Sequence, residues 1–211
     1  SNENCSLSKV YNNVIRENLG KFNIICIFDD DTSISTDYFN EVSCSLSDSF
    51  FDVAVPKVYY KNQLISPGKI NFVKGKQLKS ISTGKSEIAN ITAIMSSTVI
   101  SNTYVEKITS KTDLFDESLN FYSIDTKFFR DCRKSNAKII IMNTSLEHSS
   151  ALRSNLNVAE RVKRHENLYR SWIVVYSDNI LEKIAIRAFV FYSTIKSVLK
   201  YKSFSFFRCL K

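Results

Sequence analysis

The apolar run Phe22–Phe28, interrupted only by Asn23, ends in three consecutive aspartates, Asp29, Asp30 and Asp31. A short run that is rich in isoleucine and apolar on both faces predicts a buried, central strand of a parallel sheet. Adjacent carboxylates repel one another, so the triplet either faces water or has a positive partner. The segment that follows a strand is also where ligands bind in α/β sheets. This run therefore constrains both the fold and the position of a functional site.

Helical and strand patterns alternate along the rest of the chain. Helices are predicted over 7–17, 36–48, 102–110 and 126–135, and strands over 51–60, 91–101 and 138–144. The polar stretch 61–87 shows no clear period, which predicts a long loop or a small hairpin. Pro56 inside the second strand predicts an edge position or a bulge. The alternation as a whole predicts an α/β fold with a mostly parallel sheet.

The positive charge of the chain is concentrated near its C-terminus. The 211 residues have a formal net charge of +8, and residues 151–211 hold 12 Lys and Arg against 4 Asp and Glu. Residues 1–150 are therefore neutral overall. We predict a catalytic domain over 1–155 and a basic amphipathic helical extension over 156–211.

Two acidic positions are candidates for chemistry. Asp29 and Asp31 point the same way if the segment is extended, and such a carboxylate pair suits Mg²⁺ or Mn²⁺. The alternative is that the triplet caps a helix, which aspartate does well. Asp125 precedes the helical stretch 126–135. It is either the N-cap of that helix or a general base that faces a cleft.

Four short segments, taken in order, carry a family resemblance. They are IFDDDT, TAIMSS, FDESLNFYSIDTKFFRDCR and SLEHSS. Over roughly residues 3–172 the chain resembles the later part of a glycosyltransferase family 2 domain, most closely the bacterial rhamnosyltransferase-like branch. The resemblance implies the GT-A fold, a Rossmann-like sheet that binds nucleotide-diphospho-sugars. It also implies that the first half of the family's domain is missing here, so that the fold is incomplete at its N-terminus.

The resemblance assigns a role to each matching residue. It implies metal ligands at Asp29, Asp31 and His148, and contacts with the donor diphosphate from Asp29, Asp30 and Asp31. It implies an acceptor site formed by Ser96, Ser97, Asp116 and Glu117. Asp125 matches the catalytic base. Ser123 stands where many members of the family have an acid, which alters the surroundings of the acceptor.

The implied activity is an inverting, metal-dependent sugar transfer. The donor would be a UDP- or dTDP-linked sugar and the acceptor a hydroxyl of a glycan or lipid-linked glycan, in bacterial surface polysaccharide synthesis. The cofactor would be Mg²⁺ or Mn²⁺. The expected location is cytoplasmic, peripheral at the inner face of the plasma membrane.

The basic C-terminal part has three interpretations. Its apolar positions fall at helical spacing and are flanked by lysine and arginine: Ile180, Ile184, Phe191, Ile195, Val198 and Leu199. This pattern fits a helical hairpin packed on the domain, an interfacial helix on an anionic membrane, or a patch for nucleic acid. No nucleic-acid motif accompanies it, so no nucleic-acid partner is expected, whereas a homodimer surface is compatible with it. The alternative to an enzyme is a non-catalytic basic module that binds membrane or polyanion.

Overall fold

The computed structural model describes residues 6–30, 32–48, 50–86, 88–147 and 156–210. The helices are α1 (Leu7–Asn18), α2 (Thr36–Asp48), α3 (Asn102–Thr109), α4 (Ile124–Lys134), α5 (Val158–Val175) and α6 (Ile180–Tyr201), followed by the 3₁₀ helix Phe204–Leu210. The strands are β1 (Ile24–Ile27), β2 (Val53–Tyr60), β3 (Gln63–Ser66), β4 (Gly68–Asn71), β5 (Lys74–Gln77), β6 (Gly84–Lys85), β7 (Ile91–Thr92), β8 (Thr98–Ser101) and β9 (Ile139–Glu147). All the predicted helices are present, and the α/β class is confirmed.

Asparagine starts both long C-terminal helices. The Asn157 side chain accepts from the backbone N–H of Glu160, whose carboxylate in turn accepts from the backbone N–H of Asn157. Asn179 likewise accepts from the backbone N–H of Glu182. These capping bonds satisfy amides that have no partner within the helix, and they place an acid in each first turn. The starts of α5 and α6 are thus determined locally by the sequence.

The main sheet is mixed, so the expectation of a mostly parallel sheet is wrong. Its strand order is β1-β8-β2-β9-β6, with β3 also paired to β2. Strand β8 lies antiparallel between β1 and β2, and within the described residues the β2–β9 ladder alone is parallel. Strand β1 is at an end of this order rather than in the centre. An apolar run reports burial but not the direction of the neighbouring strand, which explains the error.

The stretch 61–87 contains strands rather than one long loop. Strands β2 and β3 form a hairpin whose two turn residues, Lys61 and Asn62, both have positive φ (48° and 62°). Two successive positive φ angles match the right-handed twist of paired strands. Strands β4, β5 and β7 form a small second sheet. The hairpin prediction was therefore correct for this part of the stretch but incomplete.

Pro56 lies at a bulge, as predicted, but in an interior strand. The register of β2 against β9 shifts between Val55 and Lys57. On β9 the backbone N–H groups of Asn143 and Thr144 bind the Glu41 carboxylate from α2, at 2.6 and 2.7 Å. Glu41 therefore supplies partners for two strand amides next to a proline that has no N–H of its own.

The sheet has an apolar core on each face. The larger cluster combines residues of the strands with residues of α1, α3, α4, α5, α6 and the 3₁₀ helix. The smaller one packs Tyr38 and Val42 of α2 against Ala54, Val99 and Met142. Helices on both faces of a sheet are the usual layered arrangement of an α/β fold.

Candidate active site

The segment after β1 is held by a serine from the turn before β8. The backbone N–H of Asp29 donates to Ser96 Oγ at 3.1 Å, and the Thr32 hydroxyl lies 2.7 Å from the same oxygen. The Thr32 N–H donates back to the Asp29 carbonyl at 3.2 Å. The side chains of Asp29 and Asp30 are exposed. Water therefore lowers the repulsion between these two carboxylates, while the backbone around them is fixed by hydrogen bonds.

The antiparallel pairing of β8 explains why the serines are here. Because Ile27 pairs with Thr98, the turn that precedes β8 lies beside the segment that follows β1. The Ser97 N–H donates to the Ile27 carbonyl at 2.5 Å, and the Tyr38 hydroxyl donates to the Ser97 carbonyl at 2.9 Å. Ser96 and Ser97 are both buried. Among the described residues, the Ser97 hydroxyl has no hydrogen-bond partner. Two of the four residues predicted to form the acceptor site, Ser96 and Ser97, thus lie beside the Asp29 segment.

Asp125 lies in the first turn of α4, one residue after the helix begins. Its carboxylate accepts from the Thr126 backbone N–H at 2.6 Å. Burial raises the pKa of the Asp125 carboxyl, the hydrogen bonds from Thr126 oppose that effect, and the negative charge of Asp29 raises the pKa further. Burial followed by the charge of Asp29 also raises the pKa of Tyr11 on α1. The charge of Asp29 thus acts on both Asp125 and Tyr11.

The N-cap of α4 is Ser123 and not Asp125. Ser123 has a φ of 63° and makes no side-chain capping bond. Its hydroxyl instead lies 2.8 Å from Ser171 Oγ on α5. The capping interpretation of Asp125 is therefore wrong in position, although a carboxylate in the first turn still interacts favourably with the helix dipole.

Asp125 lines an open cleft of about 650 Å³ between the small sheet and α5. Three basic side chains, Lys69, Lys76 and Arg164, line the same cleft, together with Tyr122 and Trp172. These three basic residues had no predicted role, because lysines in a polar stretch and an arginine on a basic helical face resemble solvated surface. Lys69 of β4 is the cross-strand partner of Lys76 of β5, so the two lysines lie side by side only once that hairpin forms.

Asp116 and Glu117 belong to a different part of the surface. Asp116 accepts from the Ser118 N–H at 3.0 Å, and Glu117 pairs with Arg16 at 2.8 Å and with Asn12 at 3.1 Å. These two acids line a second hollow, of about 550 Å³, which Asp125 does not line. Glu117 connects the loop to α1, Asp116 bonds within the loop, and the assignment of both to the acceptor site stays a prediction.

The predicted metal centre is only partly described. Asp31 and His148 lie outside the described residues, which leaves Asp29 as the one described member of the predicted ligand set. Among the residues the structure describes, no group of three or more His, Cys, Asp or Glu is arranged to hold a metal ion. One described residue is of a type that binds divalent ions. Asp29 is an exposed acid, the residue type that such ions bind, and its charge acts on a second acid, Asp125.

Comparison of the chain with protein-family models, with curated proteins and with solved structures finds no match.

Proposed function

We propose that the chain is a metal-dependent, inverting glycosyltransferase with a GT-A type fold. It would move a sugar from a UDP- or dTDP-linked donor to a hydroxyl of a glycan or lipid-linked acceptor. The observation that carries the proposal is the position of Asp125. It is a carboxyl with a raised pKa at the wall of a cleft, under the influence of the exposed Asp29 that follows β1. Acids perturbed in this way are frequent at catalytic sites.

Asp125 acts as the general base. A raised pKa makes its carboxylate a better proton acceptor than an ordinary surface aspartate. It takes the proton of the acceptor hydroxyl, whose oxygen forms a bond to the anomeric carbon. The bond from that carbon to the donor diphosphate breaks, the leaving nucleoside diphosphate keeps the electron pair, and the configuration at the carbon inverts.

Asp29, together with Asp31, would hold the divalent ion. When bound, Mg²⁺ or Mn²⁺ supplies positive charge to the diphosphate leaving group. Lys69, Lys76 and Arg164 line the cleft and favour a substrate with acidic or strongly polar groups. Trp172 and Tyr122 offer aromatic faces in the same cleft against which a sugar ring can pack.

Calorimetric titration tests the proposal. UDP, and separately dTDP, are titrated into the chain with and without Mn²⁺. We expect metal-dependent binding of one nucleotide that Asp29→Asn weakens by about tenfold or more, since one charged ligand is lost. Asp125→Asn should retain that binding but lose sugar transfer.

The matched control is Asp37→Asn, an exposed acid in the first turn of α2. Binding that is equal in Asp29→Asn and the wild type would contradict the assignment.

A further inference from the structure

Helix α6 is apolar on two faces, of which only one is covered by the rest of the protein. The inner face buries Ile186, Val190, Thr194 and Ser197. The opposite face carries apolar side chains that are between 38% and 75% exposed. We call this set the outer stripe: Ile180, Leu181, Ile184, Phe191, Tyr192, Ile195 and Leu199.

The outer stripe has basic side chains along both of its edges. At 3.6 residues per turn its members fall within an arc of about 120° around the helix axis. The same geometry places Arg187 about 20° beyond one edge and Lys196 about 40° beyond the other, with Lys183 and Lys200 about 60° and 80° beyond those edges. All four are exposed. Glu182, the one acid in α6, lies outside the arc, and its Oε1 accepts from Arg130 of α4 at 2.5 Å. Glu182 shares the angular position of Lys200 but is paired with Arg130, so the charged side chains of α6 nearest the stripe are Arg187 and Lys196, both positive.

The 3₁₀ helix adds exposed apolar side chains after α6. Phe204 is 81% exposed, and Phe207 and Leu210 are also exposed, while Phe206 and Cys209 fix the segment to the core. Residues 183–210 contain six Lys and Arg and no Asp or Glu. Apolar and cationic side chains thus share one continuous C-terminal region.

We propose that the outer stripe lies in the headgroup region of a membrane that contains anionic lipid. Apolar side chains of an interfacial helix enter the acyl boundary, while lysines and arginines along its edges meet anionic headgroups. The helix lies flat in the interface, because its inner face packs on the protein and the outer stripe alone can enter lipid. Among the described helices, none has the length and apolar character needed to cross a bilayer.

The basic side chains beside the outer stripe favour an anionic membrane over a second copy of the chain as its partner. A symmetric dimer through the outer stripe would bring the basic edges of the two copies close together, with no acid in residues 183–210 to compensate. An anionic lipid surface complements the same edges. The inference is independent of the proposed sugar transfer, because it uses no residue of the cleft.

The test is cosedimentation of the full chain with sucrose-loaded vesicles. One preparation contains phosphatidylcholine alone, and the other contains about one third phosphatidylglycerol. We expect binding to the anionic vesicles that is at least about tenfold stronger than to the neutral ones, and that weakens as salt is raised. Light scattering of the lipid-free chain gives its oligomeric state in parallel.

Two variants separate the apolar and the electrostatic contributions. The variant Leu181→Gln/Phe191→Gln/Leu199→Gln should reduce binding to anionic vesicles by about a hundredfold or more. The variant Lys196→Gln/Lys200→Gln should reduce it by roughly tenfold to thirtyfold. All five side chains are exposed, so circular dichroism should show an unchanged fold.

Matched controls replace the same residue classes elsewhere. Val14→Gln/Phe39→Gln/Phe121→Gln removes three exposed hydrophobic side chains outside α6, and Lys74→Gln/Lys111→Gln removes two exposed lysines. Neither control should change binding by more than about twofold. Three results would overturn the proposal: no binding to anionic vesicles, equal losses in the controls, or a dimer that the outer-stripe variant converts to a monomer.

Discussion

Asp125 is the residue at which the proposed chemistry imposes a cost on stability. Its carboxyl is partly buried, and the charge of Asp29 adds to the burial that raises its pKa. A group whose pKa is higher in the folded state binds its proton more tightly there. The folded protein is therefore destabilised as pH rises from the unfolded value, about 3.9, through the raised folded value.

Replacing Asp125 should stabilise the protein at neutral pH. Asp125→Asn removes the charge but keeps an oxygen that can accept from Thr126. We expect the free energy of unfolding near pH 7 to increase by on the order of 1 kcal/mol, and this gain to shrink toward pH 4. Thermal melts at several pH values measure the effect. Asp37→Asn, at an exposed helix start, should show no such gain, and a pH-independent gain in Asp125→Asn would refute the explanation.

At the scale of elements, one arginine joins α4 to the C-terminal helices. The Arg130 guanidinium lies 2.6 Å from Asp178 and 2.5 Å from Glu182, and its side chain is 15% exposed. It also lies over the ring of Tyr176, 5.0 Å from the centroid. Burial would raise the pKa of Asp178, but the bonds from Lys134 and Arg130 outweigh it and lower that pKa. Arg130 therefore compensates two acids at the start of α6.

Removing this arginine should destabilise the protein strongly. Arg130→Ala leaves the half-buried Glu182 without this arginine and leaves the exposed Asp178 with Lys134, and we expect a loss of about 1–3 kcal/mol. The control is Arg170→Ala, whose side chain is 65% exposed and pairs with Glu166, and it should cost less than about 0.5 kcal/mol. Urea denaturation at neutral pH measures both losses.

Lowering the pH should narrow the difference in the free energy of unfolding between Arg130→Ala and the wild type. Since the pKa of Asp178 is lowered in the folded state, the stability that this ion pair contributes is present above the unfolded value of about 3.9. It is lost as pH falls through the lowered folded value. Equal losses for Arg130→Ala and Arg170→Ala at neutral pH would show that the pairs contribute no more than surface ones.

Sequence periodicity predicted the helices well because each has a local signal. The apolar spacing of residues 7–17 and the bulge-forming Pro56 needed no knowledge of the rest of the chain. Strand direction had no such signal, since the placement of β8 between β1 and β2 depends on residues far apart in sequence. The same limit applies to the site. The acids Asp29 and Asp125 stand out locally, whereas Lys69, Lys76 and Arg164 become site residues only when the small sheet packs beside α5.

At the scale of the whole molecule, the sheet and the C-terminal helices share one apolar core. The main cluster contains Val53 and Val55 of β2, Tyr169 and Val175 of α5, and Ile186 of α6, all of them almost completely buried. The boundary predicted between residues 155 and 156 therefore crosses a continuous buried cluster. Elements that share one continuous core usually unfold together.

Unfolding should therefore occur in a single transition. Trp172 of α5 is the only tryptophan of the chain and contacts Tyr169 and Phe189, so its fluorescence reports on the C-terminal helices. The infrared amide band of β-structure reports on the sheet. We expect the two signals to give the same unfolding midpoint. Val55→Ala in β2 should lower both midpoints by the same amount, because it reduces the free energy of unfolding by about 1–3 kcal/mol. A shift of the sheet signal alone would show two independent units.

Helix α4 connects the cleft to the surface described on α6. Asp125 lies in its first turn, and Arg130, five residues later, bonds to the first turn of α6. Five residues of helix span about 7.5 Å, so α4 fixes the proposed base, Asp125, relative to the first turn of α6. On a bilayer, this connection would hold Asp125 at a fixed height above the lipid. It would admit acceptor hydroxyls at one height above the lipid surface and leave those nearer to or farther from the membrane out of reach.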